Sequence, residues 1–183
     1  MQKRFFSSVD LLLVHLIGTA LLTGLIWSFQ IVYFPSMTGW REESFGDLQT
    51  AGLLHTGFLL MPLMLFEGIS AGLLLMFRPR GVPAWCMWVG VGLIAGIWLS
   101  SSLIQYAVQA RLELGWDPQT HAELVDGNWV RTVLWTVRLV LVTGALRLAV
   151  AQNSDIYSSG TGTPSDARTP STSGNAIASV TMR

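Results

Sequence analysis

The residues best equipped for chemistry in this chain lie between Asn128 and Arg138, in the stretch NWVRTVLWTVR. Asn128, Arg131, Trp135 and Arg138 recur at i, i+3, i+7 and i+10, so a helix carries them on one stripe. The stretch opens an apolar run that continues to about Val150, which puts two arginines on one face of a segment suited to lipid. An Arg at the centre of a bilayer helix costs roughly 2.5–3.5 kcal/mol on insertion scales, so each is expected to point into a bundle. The one acid inside an apolar run is Glu67. At about 1.5 Å per residue, Glu67 and Arg138 fall at nearly the same depth near mid-bilayer, and they are predicted to pair. Charge-assisted hydrogen bonds would offset part of the desolvation of both. If the chain is an enzyme, Arg131 and Arg138 are the groups that could stabilise a developing phenolate or enolate, with Glu67 holding Arg138. The competing reading is that the pair only fixes helix register.

A second polar layer is expected further out. Its first contribution is the stripe His15, Thr19, Thr23, Trp27, Gln30 and Phe34; others are Trp98, Ser101, Ser102 and Gln105, and His55 with Thr56. Trp27, Gln30, His55, Trp98, Gln105, Asn128, Arg131 and Trp135 are the predicted lining of an outward-facing pocket. A half-polar, aromatic-lined pocket suits a lipophile with a polar head, such as a quinone, a polyketide or a lipid. Interhelical hydrogen bonding alone is the plainer alternative. His15 and His55 are placed near opposite ends of the bundle, which speaks against a shared haem or metal, and His121 is expected over the bundle mouth. No metal set, nucleophile with a base, phosphate-binding glycine loop or CxxC can be read, so no cofactor is indicated.

These residues need helices to position them, and the composition supplies helices for lipid. The chain has 183 residues, 51% of them hydrophobic and 12% charged, half the charged share of an ordinary soluble protein. A net charge of zero, with no basic block, argues against nucleic acid as a partner. Cys86 stands alone and excludes an internal disulfide. Four apolar stretches of spanning length occupy about 11–34, 53–77, 83–108 and 129–150, and the basic N-terminus is read as a retained first span. Pro35, the turn RPRGVP (Arg78 to Pro83) and Gly115 to Pro118 punctuate them. Asp117 before Pro118 is an N-cap and N1 pair, so a short helix is expected in the loop before the fourth span. Residues 151–183, rich in Ser, Thr and Gly, read as a disordered cytoplasmic tail. The expected fold is an all-α, up-down-up-down transmembrane four-helix bundle over residues 1–150. Lys3, Arg4, Arg78, Arg80 and Arg147 gather at one end, against an acidic opposite end, which puts both termini in the cytoplasm and the protein in the inner membrane.

The segments IWSFQIVYFP (Ile26 to Pro35), PLMLFE (Pro62 to Glu67) and GWDPQTHAELVDGNWVRTVLWTVR (Gly115 to Arg138) resemble a group of uncharacterised four-helix bacterial membrane proteins. More distantly, the layout is similar to the anthrone-oxygenase-like membrane domain family. The resemblance covers roughly residues 9–150, and the NW-RT--W--R pattern is its most specific part. It implies family-typical roles for Trp27, Gln30, Pro35, Glu67, His121, Asn128, Trp129, Arg131, Trp135 and Arg138, and oxidation of an aromatic substrate without a bound cofactor. It also implies histidines where this chain has Tyr33, Gly52 and Gln109, a departure that sets it apart from any histidine chemistry of those proteins. The leading expectation is therefore a membrane protein that binds a lipophilic or aromatic molecule, with oxidoreductase- or oxygenase-like chemistry. Its rival is a non-catalytic structural or assembly subunit, with a membrane partner or a second copy packing on Gly18, Gly24, Gly68, Gly72, Gly90, Gly92 and Gly96.

Overall fold

The computed structural model describes residues 7–40 and 42–160, and side chains as far as Ser154. Lys3 and Arg4, two of the charges used for orientation, lie outside the described residues, as does Arg41. Among the described residues there are four helices long and apolar enough to cross a membrane, and no strand.

Helix α1 (Ser8–Gly39) starts at a capping box: Ser7 Oγ accepts from the Asp10 amide at 3.1 Å, and the Ser7 amide donates to the Asp10 carboxylate at 2.8 Å. Helix α2 (Phe45–Met76) begins well before the expected 53, because Phe45 and Gln49 are buried and carry the inward face through a stretch whose polarity resembles a loop. After it the chain turns through Gly81, whose φ of 82° is open to glycine at little cost. Helix α3 spans Ala84–Leu112.

Helix α4 (Pro118–Gly160) corrects two expectations. There is no separate loop helix: the turn capped by Asp117 runs unbroken into the fourth span. Thr120, His121, Leu124 and Asn128 keep one face buried, while Glu123 and Asp126 point outward. At its start the Asp117 carboxylate accepts from the Thr120 amide at 2.9 Å and from the Thr120 hydroxyl, and these bonds hold its pKa below the ordinary 3.8. At the other end the helix continues from Ala151 to Gly160, so these ten positions of the expected tail are helical. The rest of the tail, 161–183, lies outside the described residues.

Contacts between consecutive helices run in opposite senses. Along α1 and α2, Tyr33 meets Gly52 and His15 meets Ser70; along α3 and α4, Gly90 meets Arg138 and Gln105 meets Asn128. The first and last helices also pack together, from Phe34 against His121 to His15 against Arg138. The interior is stratified. At the end where α1 starts and α4 finishes, Leu12, Leu74, Cys86, Val142 and Ala149 form one apolar layer. Leu22, Ile26, Ile97 and Trp135 form a middle layer. Phe34, Phe45, Val108, Leu112 and Leu124 close the far end, called the loop end below. Polar side chains occupy the two gaps, and the exterior is the inverse of a soluble protein's: Ile31, Phe58, Ile69, Leu103 and Val140 are all exposed. An apolar skin around a partly polar interior suits hydrocarbon as solvent.

Candidate functional site

In the gap nearer the terminal end, four helices converge on one guanidinium. Arg138 Nε donates to Glu67 Oε1 at 2.8 Å, and both side chains are only 1% exposed. The predicted pair is thus present. A second nitrogen of Arg138 donates to the Gly90 carbonyl of α3, and a third donates to His15 Nε2 of α1 at 2.8 Å. Because His15 accepts at Nε2, its proton sits on Nδ1 and is given to Ser70 Oγ at 2.6 Å; Ser70 in turn donates to the Glu67 carbonyl at 3.1 Å. The Thr19 hydroxyl completes the cluster by donating to Glu67 Oε1. Every nitrogen of this guanidinium has an acceptor. The one loose end is Glu67 Oε2, which has no partner among the described residues. His15 and Arg138 border a narrow cleft that reaches Cys86 and Ala145 on the terminal side.

The second polar layer centres on Asn128, which is fully buried. Asn128 donates to Gln30 Oε1 at 2.7 Å, Gln105 donates to Asn128 Oδ1 at 3.1 Å, and Gln30 donates onward to the Val125 carbonyl at 3.3 Å. Both glutamines sit in π-helical turns, Phe29–Tyr33 in α1 and Ser101–Gln105 in α3. A π turn adds a residue to the turn, and such turns concentrate at functional positions. Helix α2 carries Pro62, which cannot donate the helical bond to the carbonyl four residues back, nearer the middle apolar layer, against which Leu60, Leu63 and Met64 pack.

At the level of the π turns lies a partly open hollow of about 70 Å³. Phe29, Tyr33 and Phe34 line it from α1, and Ser101, Gln105, Tyr106 and Gln109 from α3. Helix α2 supplies Gln49, Gly52, Leu53, Thr56, Gly57, Leu60, Met61 and Met64, and α4 contributes Arg131 alone. A Cβ at Gly52 would meet the Tyr33 hydroxyl, so a larger residue there requires the Tyr33 side chain to move. Arg131 is 8% exposed; its Nη1 makes one long hydrogen bond, 3.5 Å to Asn128 Oδ1, and its Nε has no partner among the described residues. No carboxylate among the described residues forms an ion pair with it. Gln49 Oε1 and Gln105 Oε1 are likewise buried without a donor.

Of the eight predicted lining residues, only Gln105 and Arg131 line this hollow. Gln30 and Asn128 stand behind them in the hydrogen-bond network, and Trp135 is packed in the middle apolar layer. Trp27, His55 and Trp98 correct the expectation: all three are exposed on the outer surface. The stripe argument carried Trp27 out of register. Steps of four residues overshoot a 3.6-residue turn by about 40° each, so three steps from His15 swing Trp27 about 120° away. It instead stacks edge-on with Trp129 at 5.7 Å and donates to Thr136. The π turn then brings Gln30 and Phe34 back inside. On α3 the inward stripe is Ile97, Ser101 and Gln105, which leaves Trp98 and Ser102 outside. His121 is buried and its Nε2 lies 2.8 Å from the Phe34 carbonyl. Glu67 and Arg138, the other catalytic candidates, do not line the hollow.

Sequence reasoning missed Gln49, Tyr33 and Tyr106 as lining residues. Gln49 lay ahead of the expected span; its spacing to Leu53, Thr56 and Leu60 is the signal that could have found it. It also missed His15 as Arg138's neighbour, because helix ends set at 11 and 34 misjudged depth and the arginine stem bridges the difference. Among the described residues no group of three or more His, Cys, Asp or Glu could hold a metal ion. Comparison with known proteins gives no match: no family model fits the chain, and neither a curated protein nor a solved structure is similar to it.

Proposed function

We propose that this chain is a multi-pass protein of the inner membrane, threaded up-down-up-down with both termini cytoplasmic, which binds a lipophilic small molecule in the hollow between α1, α2 and α3. The observation that carries this reading is that three buried polar atoms without a partner among the described residues, Arg131 Nε, Gln49 Oε1 and Gln105 Oε1, belong to residues lining one otherwise largely apolar space. Buried polar atoms are almost always satisfied, so three around one hollow favour an occupant that satisfies them. The three positions at which the resembled family would place histidines, Tyr33, Gly52 and Gln109, all border this space. The orientation is supported by Arg78, Arg80 and Arg147 at the terminal end. The rival reading, polar groups that only set helix packing, fits the Glu67–Arg138 cluster and is assigned there.

The test is mass spectrometry of the protein purified in mild detergent, alongside Gly57→Leu. Gly57 lines the hollow, and a Cβ there meets nothing within 4 Å, so this change fills the space without an immediate clash. A small molecule retained by the wild type and lost from the variant is expected. Equal retention, or none in either, would contradict the reading.

A further inference from the structure

The bundle interior is not neutral. Glu67 and Arg138 cancel, His15 is an uncharged acceptor, and Arg131 leaves one positive charge without a counter-ion among the described residues. A buried charge with no partner is among the most costly features a fold can carry. Arg131 lies seven residues from Arg138 along α4, about 10 Å nearer the loop end, and so within a hydrocarbon core of roughly 15 Å half-thickness if Arg138 is central. We infer that the molecule bound in this hollow is an amphiphilic acid, whose carboxylate pairs with Arg131. This rests on the binding role proposed above and adds the chemical class of the ligand.

A carboxylate fits for three reasons. It is planar and matches the guanidinium fork, where Nε and its neighbouring nitrogen can donate side by side. It carries a single charge, equal to the surplus. It also ends a hydrocarbon body directly, so Phe29, Leu60, Met61 and Met64 can cover the remainder, whereas a phosphodiester would drag glycerol and a second polar substituent into the same apolar lining. Gln105 Oε1 lacks a donor, its amide nitrogen being committed to Asn128. A hydroxyl on the ligand, turned from its own carboxylate towards Gln105, supplies one. The body could be aromatic or acyl; the charged head is common to both.

The experiment measures binding to the full chain in lipid nanodiscs, with empty nanodiscs subtracted, for 3-hydroxy-2-naphthoate, 3-hydroxydodecanoate and the methyl ester of each. The acids are expected to bind at least about tenfold more tightly than their esters, and Arg131→Gln should remove that preference while Arg131→Lys keeps part of it. The tighter of the two acids identifies the body as aromatic or acyl. Esters that bind as well as acids would overturn the charge assignment yet leave the hollow as a binding site. If neither acid nor ester binds above empty nanodiscs, the binding role itself falls. The acid-to-ester ratio on the wild type decides the matter even if Arg131→Gln does not fold.

Discussion

Arg138 and Arg131 sit on one face of one helix, two turns apart, and are treated in opposite ways. Around Arg138 the protein brings a carboxylate, a backbone carbonyl and an imidazole from three other helices, so each nitrogen is satisfied internally. Around Arg131 it brings one distant amide oxygen and a hollow. The first arrangement is closed and holds four helices together. The second is open, and two of the helices that border it carry π turns at that level. The contrast separates a group that serves the fold from one that, on the binding role proposed above, is kept for a guest, although residue type and periodicity are the same for both.

The largest effect expected from breaking this contrast is at the closed cluster. Arg138→Gln strands the Glu67 charge and should cost about 3–5 kcal/mol, read as a large fall in Tm or loss of folded protein in detergent. Adding Glu67→Gln should recover more than half of the loss; a double variant no better than the single would contradict an ion pair. Asn128→Leu comes next, because it cuts the links to Gln30 and Gln105 and strips Gln30 Oε1 of its donor and the Gln105 amide nitrogen of its acceptor. About 1–2 kcal/mol is expected in the same assay. Arg131→Gln should stay within about 1 kcal/mol of the wild type, or be more stable, since it removes an unpaired charge. A fall as deep as that of Arg138→Gln would erase the distinction between the two arginines. The smallest effect belongs to Asp117, outside both regions. Its pKa is lowered on folding by the Thr120 bonds, so its contribution is present above about pH 4 and is lost as pH falls through the folded pKa. Asp117→Asn should flatten that pH dependence, seen as exchange of the Thr120 and His121 amides, without altering Arg131.

Much of the closed cluster could be read in the sequence. A lone acid and an arginine at one depth in apolar runs leave little choice of partner, and Glu67 with Arg138 followed from that alone. Four spans followed from apolar length. The hollow was harder to read, because its shape depends on where helices depart from 3.6 residues per turn. Nothing in FQIVY or SSLIQ marks a π turn, and without those turns the stripes miss Tyr106, while four-residue stepping places Trp27 and Trp98 inside. Span limits drawn from hydropathy hid Gln49 and cut the start of α4, because a buried face persists there beneath residues that are polar only on the outside. Arg131 was legible as a residue that needs a partner, but the sequence holds no sign that the protein withholds one.

The most direct measurement is a structure of the protein soaked with 6-bromo-3-hydroxy-2-naphthoate, with bromine located by its anomalous signal. The account predicts a peak inside the hollow, towards Leu60 and Met64, with the carboxylate on Arg131. A bromine found only on the lipid-facing surface, or against His15 and Arg138, would contradict it.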